Sequence, residues 1–229
     1  MESIITATDI SKSYGSLKVI NKLSFEVPKG EIYGLIGPNG SGKTTLIKLL
    51  TAQEQPDEGT VTVGSIDTKD EIAVKNQIGI LPEKQSPFSF LTPREIFHLV
   101  ATIRNIDEDT LEKQITKYSE KLQFTEHLDT LSTDLSRGNQ QKIMVTQALL
   151  HEPSILFIDE PVANLDPFIQ ERLLEILEEY NNKGNTIVLS THHLEFAERL
   201  CENALFISET GIEQINFTEV NKEEILTKF

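Results

Sequence analysis

"EIYGLIGPNGSGKTTLIKLL", residues 31–50, decides the architecture. An apolar run from Ile32 to Ile36 has strand length and ends at a glycine-rich loop, and Leu46-Ile47-Lys48-Leu49-Leu50 leaves that loop with a helical pattern. Strand, loop and helix in that order are the context in which Gly37-Pro38-Asn39-Gly40-Ser41-Gly42-Lys43-Thr44 reads as a phosphate loop, with Thr45 following it into the helix. Gly37, Gly40 and Gly42 let the backbone approach and turn so that its N–H groups face phosphate oxygens. The helix starting near Thr44 adds its positive end. Lys43 is placed to reach the β- and γ-phosphates, and the Thr44 hydroxyl to hold Mg²⁺. A chance lysine in a glycine turn would have no reason to lie between a strand and a helix, so the stretch predicts a nucleoside-triphosphate site.

Working outward, a second strand carries acids. Ile155-Leu156-Phe157-Ile158 is an apolar run closed by Asp159 and Glu160. Asp159 at the strand end can hold Mg²⁺ through water, and Glu160 can act as general base on an attacking water. His192 closes another buried strand, "NTIVLSTHH" (185–193), where it could sense the γ-phosphate or orient that water. His98, His127, His151 and His193 read as structural.

The rest of the chain alternates strands and helices. "IITATDI" (4–10), "LSFEVPKG" (23–30), the strand after "PDEG" (56–59) and "QIGIL" (77–81) are strands. Between about 88 and 149 the period becomes helical: Thr92-Pro93-Arg94-Glu95 is a capping box, and Leu111, Ile115, Tyr118 and Leu122 form one apolar stripe. Ile169, Leu173, Ile176, Leu177 and Tyr180 mark a helix after Pro167, and Leu194, Ala197 and Leu200 another. These patterns predict one α/β domain over 1–229, a P-loop NTPase core with a mostly parallel sheet and N-terminal antiparallel strands. Its core spans about 1–87 and 150–212, an inserted α-helical lobe about 88–149, and a polar tail with one short helix about 213–229.

Composition narrows the function classes. A formal charge of −15 over 229 residues argues against nucleic acid as a partner. The single cysteine, Cys201, excludes an internal disulfide, suits a reducing cytoplasm and reads as a buried small residue on a helix. The N-terminus lacks the pattern of a signal peptide, and no apolar stretch approaches the roughly 18 residues that span a bilayer.

The ordered set of motifs resembles the ATP-binding subunits of ABC transporters over about residues 2–210. Leu135-Ser136-Arg137-Gly138-Asn139-Gln140-Gln141 resembles the family signature, with Arg137 in place of a glycine and Asn139 in place of a glutamine. Ala163-Asn164-Leu165-Asp166 resembles the loop by which two such subunits touch, Ser190-Thr191-His192 the switch-histidine loop, and Tyr14 the aromatic that stacks on adenine. In physical terms Ser136 at a helix N-cap, with Gly138 in the first turn, offers open N–H groups and a hydroxyl to an anion. The resemblance implies ATP and Mg²⁺ as ligands, and a head-to-tail dimer in which Ser136 and Gly138 cover the γ-phosphate of the other copy's ATP. It also implies a separate transmembrane permease subunit and a place on the cytoplasmic face of the membrane.

Three functions compete. The first is an ATPase that powers a transporter, with "SPFSFLTPREIFHLVATIRNI" (86–106) as the surface toward the membrane subunit, although Ile96, Phe97, Val100 and Ile103 mostly serve the lobe's own core. The middle segment resembles exporters of drugs, lipids or peptides. The second is an ABC-type ATPase acting on protein or cofactor assemblies without a membrane partner. The third, a small-molecule kinase, leaves the signature and the 163–166 loop without a purpose. One substitution bears on all three. Glu83 holds the place where the family pattern has a glutamine that touches Mg²⁺ or the attacking water, and Gln85 comes two residues late. A carboxylate suits Mg²⁺, so Glu83 is expected to be a Mg²⁺-dependent sensor of the nucleotide.

Overall fold

The computed structural model describes residues 2–83, 88, 90–162, 165–208 and 211–219. Two long strands open the chain, β1 (Ser3–Tyr14) and β2 (Leu17–Pro28), joined by a tight turn in which Tyr14 faces Leu17. Gly15 sits in that turn at φ 61°, the left-handed backbone that a two-residue hairpin favours. β2 starts six residues before the apolar pattern of 23–30 begins, because Leu17–Lys22 are held by pairing to β1 while their side chains are mostly exposed.

After β3 (Ile32–Ile36) come α1 (Lys43–Leu50), β4 (Glu58–Val63), the short β5 (Ile66–Asp67), α2 (Glu71–Gln77) and β6 (Ile78–Leu81). Then follow α3 (Pro93–Arg104), α4 (Glu108–Lys121), two single 3₁₀ turns and α5 (Arg137–Leu149). The last part holds β7 (Ile155–Asp159), α6 (Pro167–Asn181), β8 (Thr186–Thr191), α7 (Leu194–Leu200), β9 (Asn203–Ser208) and β10 (Gly211–Asn216). The strands make two sheets: four antiparallel strands in the order β2-β1-β4-β5, and six in the order β10-β9-β3-β8-β7-β6. In the larger sheet every neighbouring pair is parallel except β9–β10.

Each face of the larger sheet is covered, which is why its central strands read as unbroken apolar runs. β7 sends Ile155 and Phe157 into a cluster shared with the antiparallel sheet and α1, while Leu156 and Ile158 join Phe97, Tyr118 and Leu173 of the helical side. Thr92 caps α3 reciprocally with Glu95 as the sequence predicts, and Ser136 caps α5 by accepting from the Asn139 amide at 3.2 Å. Leu111, Ile115, Tyr118 and Leu122 are all buried. Cys201 is buried as the residue that ends α7.

The C-terminal part differs from the sequence reading. Residues 211–216, assigned almost wholly to a polar tail, form the edge strand β10 against β9. Ile212 and Ile215 anchor it from opposite faces, one against the antiparallel-sheet core and the other beside Leu194, Ala197 and Phe206. Spaced three apart among polar residues, they show no alternation. The short helix expected further on, Gln85, and the Ala163-Asn164 half of the contact loop lie outside the described residues.

β3, β8 and β7 are adjacent and parallel, with Ile36 beside Thr191 and Asp159 beside Ser190. The residues that follow their carboxyl ends therefore converge at one edge, the usual place for ligands in open α/β sheets.

Candidate functional site

The convergence makes a cleft of about 410 Å³ that gathers Tyr14, the phosphate loop, Glu83, Asp159, Glu160 and His192. Its floor is the turn from β3 into α1. Gly37 has no substitute there: a Cβ on it would come within 2.0 Å of the Ile207 carbonyl oxygen. Gly42, at φ 108°, forms the N-cap of α1, so the helix begins on Lys43 without a side-chain cap. Lys43 is buried and donates from Nζ to the carbonyls of Gly37 (2.8 Å) and Pro38 (3.0 Å). Burial holds its ammonium below the usual lysine range, against the opposing pull of Glu160, Asp159 and Glu83.

Two hydroxyls fix Asp159. Thr44 Oγ1 donates to Oδ2 at 2.9 Å and Ser190 Oγ to Oδ1 at 2.7 Å. Glu160 takes a left-handed backbone, φ 52°, which costs a non-glycine residue on the order of 1 kcal/mol. Its N–H donates to the Ser190 carbonyl at 2.9 Å, and its carboxylate accepts from Thr191 Oγ1 (3.2 Å), the His192 amide (3.1 Å) and His192 Nδ1 (2.8 Å). With Nδ1 committed as a donor, Nε2 is the ring atom left for other partners. The His193 ring lies 4.0 Å from that of His192, centroid to centroid. Ser190 and Thr191 had no role of their own in the sequence; hydroxyls directly before a strand-end histidine were the available signal.

Glu83, just past β6, is exposed and borders the cleft. Tyr14, 43% exposed, lines the same cleft beside Val19. Ser136 and Gly138 are elsewhere, at the N-terminus of α5, with Ser136 and Arg137 exposed.

The donor set fits a Mg²⁺–triphosphate. Ser41 Oγ is buried in the phosphate loop with no hydrogen-bond partner among the described residues, an unmet need that a phosphate oxygen would fill. Thr44, Asp159 and Glu83 offer the hard oxygen donors that Mg²⁺ prefers.

Residues 20–163 match the family model described as ABC transporter. The chain belongs to the ABC transporter family. It is 31% identical over 227 residues to the bacitracin transport ATP-binding protein of Enterococcus faecalis, covering 97% of this chain and 72% of that one. It is 30% identical over 207 residues to the linearmycin resistance ATP-binding protein of Bacillus subtilis, covering 90% and 67%. Among solved structures, an ATP-binding subunit of an ABC transporter superposes with a TM-score of 0.91 at 28% identity, over 98% of each chain. The protein is thus an ATP-binding, ATP-hydrolysing subunit of an ABC transporter, and its two sheets and P-loop core are those of the ABC ATPase fold.

Proposed function

We propose that this ABC subunit drives export of a drug, lipid or peptide through a separate membrane subunit, acting as a head-to-tail pair of copies at the cytoplasmic face. The observation that carries the chemical part is the 2.8 Å contact between Glu160 and His192 in the cleft that Lys43 floors. Lys43 and the loop amides bind the β- and γ-phosphates. Glu160 removes a proton from a water attacking the γ-phosphorus, and His192 holds Glu160 and orients that water. Thr44, Asp159 and Glu83 would hold Mg²⁺, which neutralises phosphate charge when bound.

Ser136 and Gly138, away from their own cleft, would cover the γ-phosphate of the partner copy's ATP. Arg137 would join them from the same first turn of α5. The names of the bacitracin and linearmycin relatives support the export reading and the choice of cargo class. Among the described residues no helix is long and apolar enough to cross a membrane, and this reading assigns the membrane pathway to another chain.

The surface toward that chain is a groove of about 230 Å³ that includes Ile80, Phe88, Val100, Ile103 and His151. Ile96 and Phe97 are consumed by the lobe core, whereas Ile103 is 66% and Phe90 84% exposed. The test is co-purification from detergent-solubilised membranes. An integral-membrane protein with this chain, released by Ile103→Asp, is the expected result; a chain that comes out alone contradicts the membrane reading.

A further inference from the structure

We propose that Glu54 is a positioning residue that sets the ring of Tyr14 for the nucleotide base. The inference rests on the reading of Tyr14 as the base-stacking residue. Tyr14 ends β1, is 43% exposed and stands outside the buried apolar clusters of the described residues. Its hydroxyl donates to Glu54 Oε2 at 2.5 Å, across 40 residues of sequence.

Glu54 is itself anchored. Lys48, in the last turn of α1, donates from Nζ to Glu54 Oε1 at 3.0 Å, and Lys12 Nζ lies 3.7 Å from Oε2. The backbone amides of Gln53 and Glu54 both donate to the Lys48 carbonyl, at 2.9 and 3.1 Å, so the turn carrying Glu54 is fastened to α1. Lys12 is held in turn by the Gln55 carbonyl at 2.8 Å and stands 5.7 Å from the Tyr14 ring centroid. The helix that begins at the phosphate loop thereby holds the platform for the base through the Glu54 carboxylate, beside a contact from Thr45 of the same helix. The Tyr14 hydroxyl, more than either lysine, keeps the Glu54 carboxyl below the usual range, so this bond persists throughout neutral pH.

A tyrosine already in place loses less rotamer freedom when a base stacks on it. Glu54 therefore acts on the affinity for the base and not on that for the phosphates. A purely structural Glu54, tying β1 to α1 through its lysines, would act on both or on neither.

The test measures dissociation constants of the full chain for Mg-ATP and for inorganic tripolyphosphate, which has the phosphates and no base. Glu54→Ala should raise that for ATP by roughly 2- to 10-fold, the cost of immobilising one side chain on binding, and leave that for tripolyphosphate as in the parent. Glu54→Gln, which keeps an acceptor oxygen, should lose less. Tyr14→Phe should reproduce the ATP loss without disturbing the exposed site, and adding Glu54→Ala to it should have no further effect. Equal losses for both ligands, or a Glu54→Ala loss that persists on top of Tyr14→Phe, would overturn the proposal. Tyr14→Ala separates the layers: weaker ATP binding there with none from Glu54→Ala removes only the positioning role, while unchanged ATP binding removes the stacking reading as well.

Discussion

By its resemblance to the family pattern, Glu83 puts a carboxylate where an amide is expected, at the border of the cleft. The change would keep an oxygen ligand for the proposed Mg²⁺, but it removes a hydrogen-bond donor and adds negative charge to a cleft that also holds Asp159 and Glu160. That charge already acts on Lys43, whose ammonium it favours. A residue in this position gains most from a divalent cation that offsets its repulsion of the γ-phosphate. ATPase activity titrated with Mg²⁺ should therefore reach half-maximum at higher Mg²⁺ in Glu83→Ala than in the parent, with a smaller displacement in Glu83→Gln. Curves that coincide for all three proteins make Glu83 a bystander.

Among the elements, the end of α5 is tied to β6 by one histidine. His151 Nε2 donates to the Ile78 carbonyl at 3.0 Å, and burial pushes its pKa down, with the positive charge of Arg104 acting in the same direction. Unfolded, the imidazole titrates near 6.5. Because the folded value is lower, the unfolded chain binds the extra proton first as pH falls, so the stability that neutral His151 contributes is complete above about 6.5 and is lost as pH drops through the folded pKa. Thermal melts between pH 7 and 5 should show His151→Gln, which keeps a donor for Ile78, losing less stability than the parent. Parallel losses would contradict the assignment. His151 read as structural in the sequence, yet nothing near it in sequence names Ile78, 73 residues away. The elements that were legible carry their own signals: the β3–loop–α1 order, the Thr92 box, the Ser136 cap and the apolar β7. Of those missed, β9 does carry an apolar run, Ala204 to Ile207, and the others lack such signals. α2 has seven residues with only Val74 buried, β10 is a polar edge, and the first half of β2 exists through pairing to β1. The site divides the same way. Lys43, Asp159, Glu160 and His192 are named by local motifs and meet in one cleft, whereas the Tyr14–Glu54 contact depends on how β1 lies on α1.

For the whole molecule, the parallel sheet gathers one set of ATP-site residues, and the proposed second set lies outside that cleft. The phosphate loop, Asp159, Glu160 and His192 share a cleft, while Ser136 and Gly138, at the capped start of α5, do not line it. Two copies with a formal charge of −15 each repel at long range, so the proposed dimer needs short-range contacts that offset this, and those at the nucleotide are the ones proposed. Near 0.15 M salt the repulsion is screened beyond about 8 Å, which leaves those contacts to decide the outcome. Replacing the proposed general base should trap that state: Glu160→Gln is expected to bind Mg-ATP but turn it over on the order of 10²- to 10⁴-fold more slowly. The central claim, an ATP site completed by a second copy, is tested most directly by gel filtration of Glu160→Gln with and without saturating Mg-ATP. A shift from monomer to dimer on adding ATP, abolished by a further Lys43→Ala, is the predicted result; a monomer that persists with ATP demonstrably bound would contradict it.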